Sequence, residues 1–235
     1  MPFLLPEDPQ ESFPPARAAP PHGLLAVGGD LSPERLQNAY RHGIFPWFGE
    51  DDPLLWWSPD PRWVLRPGDF HLNRSLRRFL QRCPWTLSLD RDFAAVIDGC
   101  ARPRRNDHGT WITAGMRSAY ARLATRGIAH AIEVRDGDTL VGGIYGVGVG
   151  RVFCAESMFS AVSNASKVAL LGLCRNFAAL GGVLIDCQLH NPHIETLGVR
   201  PWPRSDYLAL LAEVRDDPDP LAVGTMPFVQ AIELV

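Results

Sequence analysis

The chain has 235 residues, of which 46% are hydrophobic and 21% are charged. This composition is ordinary for a folded protein that buries one sizeable core and has room for a smaller second domain, and it excludes wholesale disorder. The formal net charge of −3 at pH 7 excludes a globally basic nucleic-acid-binding protein, so any RNA site must be a local basic patch.

Neither the N-terminus nor the cysteines indicate export or membrane insertion. The chain begins Met1-Pro-Phe-Leu-Leu-Pro-Glu-Asp-Pro9, which lacks the basic start of a signal peptide. No apolar run is long enough to span a bilayer. The five cysteines form no Cys-x-x-Cys pair, which is typical of reduced thiols. We therefore expect a cytoplasmic protein with no membrane partner, no disulfide framework and no metal site.

Residues 1–84 predict a small N-terminal domain. The proline-rich residues 1–22 predict an extended arm without a regular element, followed by a short buried strand at Gly23–Gly28. Ser32-Pro33 predicts the start of a helix, with serine as the N-cap. The aromatic and proline-rich stretch Ile44–Arg62 predicts a rigid packed loop region, because proline is excluded from helix interiors and central strands.

A second helix is predicted from Leu72 to Arg82, and it carries a basic stripe. Arg74, Arg78 and Arg82 recur every four residues, and Arg77 lies beside them. Such a stripe is suited to contacts with RNA phosphates, although a solvated helix face is the alternative interpretation. Because the chain as a whole is acidic, we favour RNA binding.

Residues 85–235 predict a C-terminal domain with a mixed sheet. The pattern gives a strand, two helices, a three-stranded meander with a tight turn at Asp136-Gly137, a helix and another strand. A helical turn near Pro192 and a last helix from Ser205 follow. These elements predict an α/β (α+β) fold, and their order resembles the fold of the N-acetyltransferase (GNAT) superfamily.

Eight motifs, spread from about residue 23 to residue 207, resemble those of one protein family in the order in which that family has them. They are Gly23-Leu-Leu-Ala-Val-Gly-Gly-Asp-Leu-Ser32, Gly43-Ile-Phe-Pro-Trp-Phe48, Trp56-Trp-Ser-Pro-Asp-Pro-Arg62, Gly109-Thr-Trp-Ile-Thr113, Val141-Gly-Gly-Ile-Tyr-Gly-Val147, Glu156-Ser-Met-Phe-Ser160, Asn164-Ala-Ser-Lys167 and Leu184-Ile-Asp-Cys-Gln188. On these motifs the chain resembles the leucyl/phenylalanyl-tRNA–protein transferases.

This resemblance implies an activity and two partners. The donor would be leucyl- or phenylalanyl-tRNA, recognised at its acceptor stem and 3′ end, with methionine as a further candidate amino acid. The acceptor would be a protein that begins with arginine or lysine, which transfer would mark for N-degron degradation. The resemblance implies no cofactor.

Asp186 and Gln188 lie two positions apart on the last predicted strand. Strand alternation places both on one face, roughly 6–7 Å apart along the chain. Because the tRNA ester is already activated, the enzyme has to align the amine, accept a proton and stabilise an oxyanion. We predict that Asp186 holds and deprotonates the amine while Gln188 donates to the carbonyl. The alternative is a solvent-facing polar pair.

Glu156 lies in an otherwise apolar predicted strand, where an unpaired carboxylate is costly. We predict that it meets the amine or the cationic first residue of the acceptor, and the alternative is an ion pair with Arg151 or Lys167. Strict alternation puts Phe153 and Glu156 on opposite faces. A site that contains both therefore requires a β-bulge or a splayed sheet edge.

The amino-acid pocket must accept leucine and phenylalanine, and the candidates are Ile144, Phe153, Met158 and Leu173. Their periodicity is also that of ordinary core residues, which is the alternative. Methionine supplies adaptable packing for a pocket that takes two side chains.

Three aromatic residues, Trp47, Trp111 and Tyr120, are predicted near the terminal adenosine of the tRNA, since single-stranded bases stack on aromatic rings. Trp56 and Trp57 are interpreted as structural residues.

Two other functions compete with aminoacyl transfer. An acyl-CoA-dependent N-acetyltransferase needs a glycine-rich pyrophosphate loop before the helix that follows the meander, and Ser160–Lys167 contains no glycine. A non-catalytic tRNA-binding module is not excluded by the sequence. A metal site from His190, His193 and Asp186 is disfavoured because Pro192 disturbs the helical spacing of the histidines.

Overall fold

A computed structural model describes residues 1–6, 8, 12–102, 110–223 and 229–234 of the chain, and Gly109 of the fourth motif lies outside these ranges. The strands are β1 Phe3–Leu5, β2 Leu24–Gly28, β3 Phe45–Pro46, β4 Leu55–Trp57, β5 Arg62–Leu65, β6 Thr86–Leu89, β7 Ala129–Asp136, β8 Thr139–Val149, β9 Val152–Ser160, β10 Leu184–Gln188, β11 Arg200–Trp202 and β12 Val229–Gln230. The α-helices are α1 Pro33–Arg41, α2 Arg74–Leu80, α3 Phe93–Ala101, α4 Ala114–Thr125, α5 Ala165–Ala179, α6 Pro192–Glu195, α7 Arg204–Val214 and α8 Pro220–Val223. Short 3-10 helices lie at Ala16–Ala18, Pro67–Asp69 and Ala231–Leu234.

A four-stranded sheet in the order β1-β2-β4-β3 forms the N-terminal part of the fold. Two predictions are wrong here, since the arm contributes β1 and the aromatic stretch contributes β3, β4 and β5. These strands are two to four residues long, so that Pro53 and Pro59 flank them rather than interrupt them. Pro46 lies in β3, which is an edge strand, where proline is tolerated.

An eight-stranded sheet in the order β11-β5-β10-β9-β8-β7-β6-β12 forms the centre of the molecule. Strands β6 to β9 are antiparallel, β10 is parallel to β9, and β5 is antiparallel to β10. The predicted order of strand, two helices, meander, helix and strand is confirmed, and the class is mixed α/β. The domain boundary near residue 84 stays a prediction, and β5 on its N-terminal side pairs within the large sheet.

Successive residues of the central strands enter two different core clusters, one on each face of the sheet. Leu184 packs with one cluster and Ile185 with the other. Helices α1, α3, α4 and α7 contribute to the first cluster, and α5 contributes to the second. Side chains on the Leu184 face of β10 therefore point toward α1 and α7, which becomes important for Asp186.

The helix starts follow from their caps. Ser32 accepts from the backbone N–H of Arg35 at 3.3 Å, which confirms the predicted start of α1. The predicted second helix is shorter than expected, because Asn73 accepts from the N–H of Leu76 at 2.8 Å and so fixes its start at Arg74. Arg82 lies beyond the end of α2. The predicted helical spacing therefore holds for Arg74, Arg77 and Arg78 and not for Arg82.

Three further features are the state of the cysteines, the length of the apolar helices and the grouping of metal-ligating side chains. All five cysteines lie in the described ranges and carry reduced thiols, and four of them are buried. Within the described ranges, no helix combines the length and apolarity that crossing a membrane requires. In the same part of the chain, no group of three or more metal-ligating side chains comes together.

Candidate active site

A cavity of about 310 Å³ lies beside the C-terminal end of β10. One part of its wall is apolar, from Phe45, Pro46, Trp47, Trp111, Ile144, Ala155, Met158, Leu170, Leu189 and Ile194. The other part is polar, from Glu156, Ser157, Cys187, Gln188, His190 and Asn191. An apolar slot that ends in a carboxylate and a carboxamide is suited to an amino acid whose backbone reacts at the polar end.

A β-bulge in β9 turns Glu156 toward this cavity. Ala155 pairs with Gly146 and Ser157 pairs with Tyr145, so Glu156 has no partner on β8. A Cβ atom on Gly146 would lie 2.2 Å from the carbonyl oxygen of Cys154, so this position has to be glycine for β8 to pair with the bulged strand. The predicted bulge is thus present, but it brings Glu156 and not Phe153 to the cavity.

Glu156 is buried, and each of its carboxylate oxygens accepts a hydrogen bond. Its Oε2 accepts from the hydroxyl of Tyr120 at 2.9 Å, and its Oε1 accepts from Nε2 of Gln188 at 2.6 Å. Burial raises the pKa of Glu156 to about 7. Hydrogen bonds from Tyr40, Tyr120 and Gln188 act against this shift because they favour the ionised form. A carboxyl group with this pKa can bind or release a proton near neutral pH.

The alternative of an ion pair for Glu156 is not observed. Arg151 instead lies 3.6 Å from Asp217, and no ion pair of Glu156 occurs among the residues that the structure describes. The hydrogen-bonded setting leaves the carboxylate available to a cation that enters the cavity.

Gln188 adopts a left-handed backbone conformation with φ of 63°. A residue other than glycine in this region is strained, and such strain is typical of functional sites. The conformation is held by Asp186, whose Oδ1 accepts from the N–H of Gln188 at 2.9 Å. The register between β10 and β5 shifts at the same place. The prediction that Asp186 and Gln188 share one face is therefore wrong, because the irregular backbone breaks the alternation.

Asp186 is fully buried and does not line the cavity. Its carboxylate accepts from Nε of Arg62 at 2.7 Å, from Nη2 of Arg62 at 2.6 Å and from the hydroxyl of Tyr207 at 2.9 Å. Burial alone lowers the pKa of Arg62, but the charge of Asp186 outweighs it and raises that pKa above the ordinary value. The predicted contact of Asp186 with an incoming amine would require its carboxylate to line the cavity, and the structure places that carboxylate behind Gln188 instead.

The structure divides the four predicted pocket residues into two pairs. Ile144 and Met158 line the cavity, and their assignment to an amino-acid pocket stays a prediction. Phe153 and Leu173 do not line it, and both are buried in the second core cluster. Leu173 belongs to a helix whose cavity-facing residue is Leu170, one turn earlier.

Trp47 and Trp111 lie between this cavity and a neighbouring groove of about 790 Å³. Trp47 is 41% exposed, so its ring is accessible for stacking. The groove also contains the three carboxylates of Glu50-Asp51-Asp52.

Tyr120 is fully buried, which leaves no ring face for a base. The prediction that Tyr120 stacks on adenosine is thus corrected. Its hydroxyl instead supports Glu156.

The predicted basic residues Arg74, Arg77, Arg78 and Arg82 are all exposed. Arg78 and Arg82 line a separate groove of about 500 Å³, whose aromatic residues are Phe79 and Trp85. Nothing in the fold brings these arginines into the lining of the cavity at Gln188.

Several residues of the site were not predicted, and they are Tyr40, Arg62, Leu170, Ile194 and Tyr207. Arg62 ends the third motif, which was a usable signal for a role. Tyr40 and Tyr207 gave only the apolar periodicity of a helix face, and no local pattern shows that their hydroxyls reach buried carboxylates.

A comparison of the sequence with known protein families gives two matching family models. The model described as leucyl/phenylalanyl-tRNA protein transferase matches residues 64–212. The model of the N-terminal domain of the same proteins matches residues 29–60.

Individual relatives agree with these matches. A leucyl/phenylalanyl-tRNA–protein transferase of Shewanella baltica (strain OS155) is 48% identical over 226 residues, which is 95% of each chain. One of Shewanella piezotolerans is 52% identical over 209 residues, or 88% of this chain and 89% of the relative.

Among solved structures, a GCN5-related N-acetyltransferase from Kribbella flavida overlaps at a TM-score of 0.39 with 11% identity, covering 75% of this chain and 63% of its own. The L-PGS structure from Bacillus licheniformis overlaps at a TM-score of 0.40 with 12% identity, covering 72% of this chain and 54% of its own.

Proposed function

This chain belongs to the leucyl/phenylalanyl-tRNA protein transferase family, and we propose that it moves leucine or phenylalanine from charged tRNA to the N-terminal arginine or lysine of an acceptor protein. The chain is thus an aminoacyltransferase. The observation that carries the finer proposal is the cavity in which Glu156 and Gln188 meet an apolar wall.

The apolar wall supports the choice of amino acid. Ile144, Met158 and Leu170 offer dispersion contacts to an aliphatic or an aromatic side chain and no polar partner. A polar or charged side chain in this slot would lose its water without compensation. Leucine and phenylalanine, with methionine as a further candidate, avoid that cost.

The polar end supports the chemistry. The acceptor amine attacks the ester carbonyl carbon, a tetrahedral oxyanion forms, and the C–O bond to the tRNA ribose breaks. Glu156 attracts the cationic N-terminus, whose amine releases one proton to solvent before it attacks. Glu156 then takes up the second proton from the attacking nitrogen, and that proton finally leaves with the ribose hydroxyl. The amide of Gln188 carries two N–H groups, one bonded to Glu156 and one left for the carbonyl oxygen.

Asp186 has a positioning role in this scheme. It holds the backbone of Gln188 in the left-handed conformation, and Arg62 and Tyr207 hold Asp186 in turn. Preorganised donors stabilise a developing oxyanion without reorganisation during the reaction. The buried pair thereby acts on the rate through the geometry of Gln188.

The tRNA is proposed to make two contacts. Its terminal adenosine stacks at Trp47 and Trp111, each base stack being worth roughly 1–3 kcal/mol. The acceptor stem lies along the basic residues of α2, where positive charge meets phosphate. We place the reaction in the cytoplasm, where the product protein would be marked for N-degron degradation.

Reversing two charges on α2 tests the second contact. Changing Arg74 and Arg78 together to glutamate is expected to raise the KM for leucyl-tRNA about tenfold and to flatten its salt dependence, because phosphate contacts are lost. The KM for the acceptor peptide should stay the same. The matched control reverses Arg17 and Arg175, two exposed arginines outside α2. An equal rise in both double variants would count against a specific stem contact.

One assay tests the proposed function as a whole. The protein is incubated with radiolabelled leucyl-tRNA and a peptide that begins with arginine, in parallel with peptides that begin with lysine or glutamate. Label in the arginine and lysine peptides supports the proposal. Dependence on acyl-CoA would favour an N-acetyltransferase, and tRNA binding without transfer would favour a non-catalytic module.

A further inference from the structure

A buried tyrosine of the N-terminal part reaches toward the reaction centre. Tyr40 lies in the last turn of α1 and is 1% exposed. Its hydroxyl is hydrogen-bonded to the hydroxyl of Tyr120, which donates in turn to Glu156. The chain of contacts Tyr40–Tyr120–Glu156–Gln188 therefore links α1, α4, β9 and β10.

The direction of this chain follows from donor counting. A phenol has one proton to donate, and Tyr120 uses it on the ionised Glu156. The bond between the two hydroxyls must then be donated by Tyr40. Burial raises the pKa values of Tyr40 and Tyr120 well above 10, and the charge of Glu156 acts in the same direction. Both phenols therefore remain donors at the pH of any assay.

We propose that Tyr40 is a positioning residue for aminoacyl transfer, which polarises Tyr120 and thereby keeps Glu156 ionised when the acceptor amine arrives. The inference rests on the proposed function and assigns to α1 a part in the reaction that no cavity-lining residue reveals. Hydrogen bonds in a buried row strengthen one another, so the outer donor influences the carboxylate without a direct covalent or ionic link.

Other groups that act on Glu156 come from several elements. Asp186 of β10 raises its pKa through its charge. Tyr145 of β8 packs against Tyr120 with 5.5 Å between ring centroids, and its buried hydroxyl has no hydrogen-bond partner among the residues that the structure describes. The charge of Glu156 in turn raises the pKa of the Cys154 thiol of β9. Among the described residues, the ionisable groups whose hydrogen bonds lower the pKa of Glu156 are Tyr40 and Tyr120, so the effect of one donor can be isolated.

The test is the pH dependence of leucine transfer by Tyr40→Phe. Loss of the outer donor disfavours the ionised carboxylate, so the midpoint of the acid limb should move up by about half to one pH unit. The rate at pH 6 should fall about three- to tenfold, and the rate at pH 9 should match that of the wild type. The KM for tRNA should not change, because Tyr40 lies outside the cavity lining.

Tyr145→Phe is the matched control, since it removes one buried phenol oxygen that has no partner and should leave the midpoint in place. A Tyr40→Phe profile that is lower by the same factor at every pH, or that is identical to the wild type, would overturn the inference.

Carboxyl titration by NMR on protein labelled with ¹³C-glutamate, with the Glu156 signal assigned by Glu156→Gln, gives a second readout that does not need transfer. A raised Glu156 midpoint in Tyr40→Phe supports the inference, and an unchanged one overturns it. Absence of transfer by the wild type at all pH values would instead count against the proposed function alone.

Discussion

Replacing Glu156 by glutamine is expected to lower leucine transfer by at least about 100-fold at pH 8, which is the usual scale for loss of a positioned proton acceptor. The neutral amide neither attracts the cationic amine nor takes its proton. It also brings an NH₂ group toward Tyr120 or Gln188, both of which are donors. Binding of leucyl-tRNA should change little, because this residue is assigned to the acceptor amine.

The pH profile gives the sign of this effect. Because burial raises the pKa of Glu156 to about 7, the carboxyl is mostly protonated at pH 6 and mostly ionised at pH 8. The wild-type rate should therefore rise with pH through about 7. The limb should be absent from Glu156→Gln, measured with saturating tRNA and peptide. A retained limb in that variant would assign the titration to another group.

The melting temperature of Glu156→Gln shows whether its loss of activity comes from a folding defect. Because the pKa of Glu156 is raised in the folded state, its contribution to the free energy of unfolding is fully present below the unfolded value of about 4.5. That contribution is lost as the pH rises through about 7, since the buried carboxyl must then ionise. The glutamine variant removes this charge-burial cost above pH 7. Its melting temperature at pH 8 should thus remain close to that of the wild type, while its activity is lost.

Replacing Asp186 by alanine is expected to destabilise the protein by about 3–5 kcal/mol, because it leaves the buried guanidinium of Arg62 without its counter-charge. Both side chains are fully buried, and Asp186 binds two nitrogens of Arg62. Transfer should fall as well, since the backbone of Gln188 loses the acceptor that holds it. Urea unfolding and transfer rates on the same preparation measure the two effects.

A double-mutant cycle on Arg62 and Asp186 tests whether Asp186 supports the backbone of Gln188 or contacts the substrate itself. Arg62→Met combined with Asp186→Leu removes both charges, and replacement of a buried pair by apolar residues is often close to neutral. The double variant should regain most of the stability lost in the single variant Asp186→Leu, which leaves Arg62 without its counter-charge just as Asp186→Ala does, and should still transfer slowly. A double variant that loses as much stability as the sum of the single variants would show that the pair is not coupled. Full transfer by Asp186→Ala would remove the residue from the mechanism.

The sequence predicted well what depends on local pattern. The predicted cap at Ser32 is confirmed, since its side chain accepts a hydrogen bond from the backbone N–H of Arg35. The meander with its turn at Asp136-Gly137 is also confirmed. The strands of the aromatic region were missed, because two to four residues between prolines carry too little periodicity to register.

The candidate site was predictable in part. Glu156 and Gln188 were named from their polar character on apolar strands, and the fold brings them to one cavity with Ile144 and Met158. Asp186 was named for the same reason, but it points the other way. Strand alternation assumes a regular backbone, and β10 is irregular where it matters.

By itself, the sequence determined the elements, their order, the family and most of the polar residues of the site, because these depend on neighbours a few positions apart. Only the tertiary structure decided which carboxylate faces the cavity. Asp186 meets Arg62 across 124 positions of sequence and Tyr40 meets Tyr120 across 80, so neither contact leaves a local pattern. A buried charge adopts the conformation in which a partner satisfies it, and that partner is known only when the chain is folded.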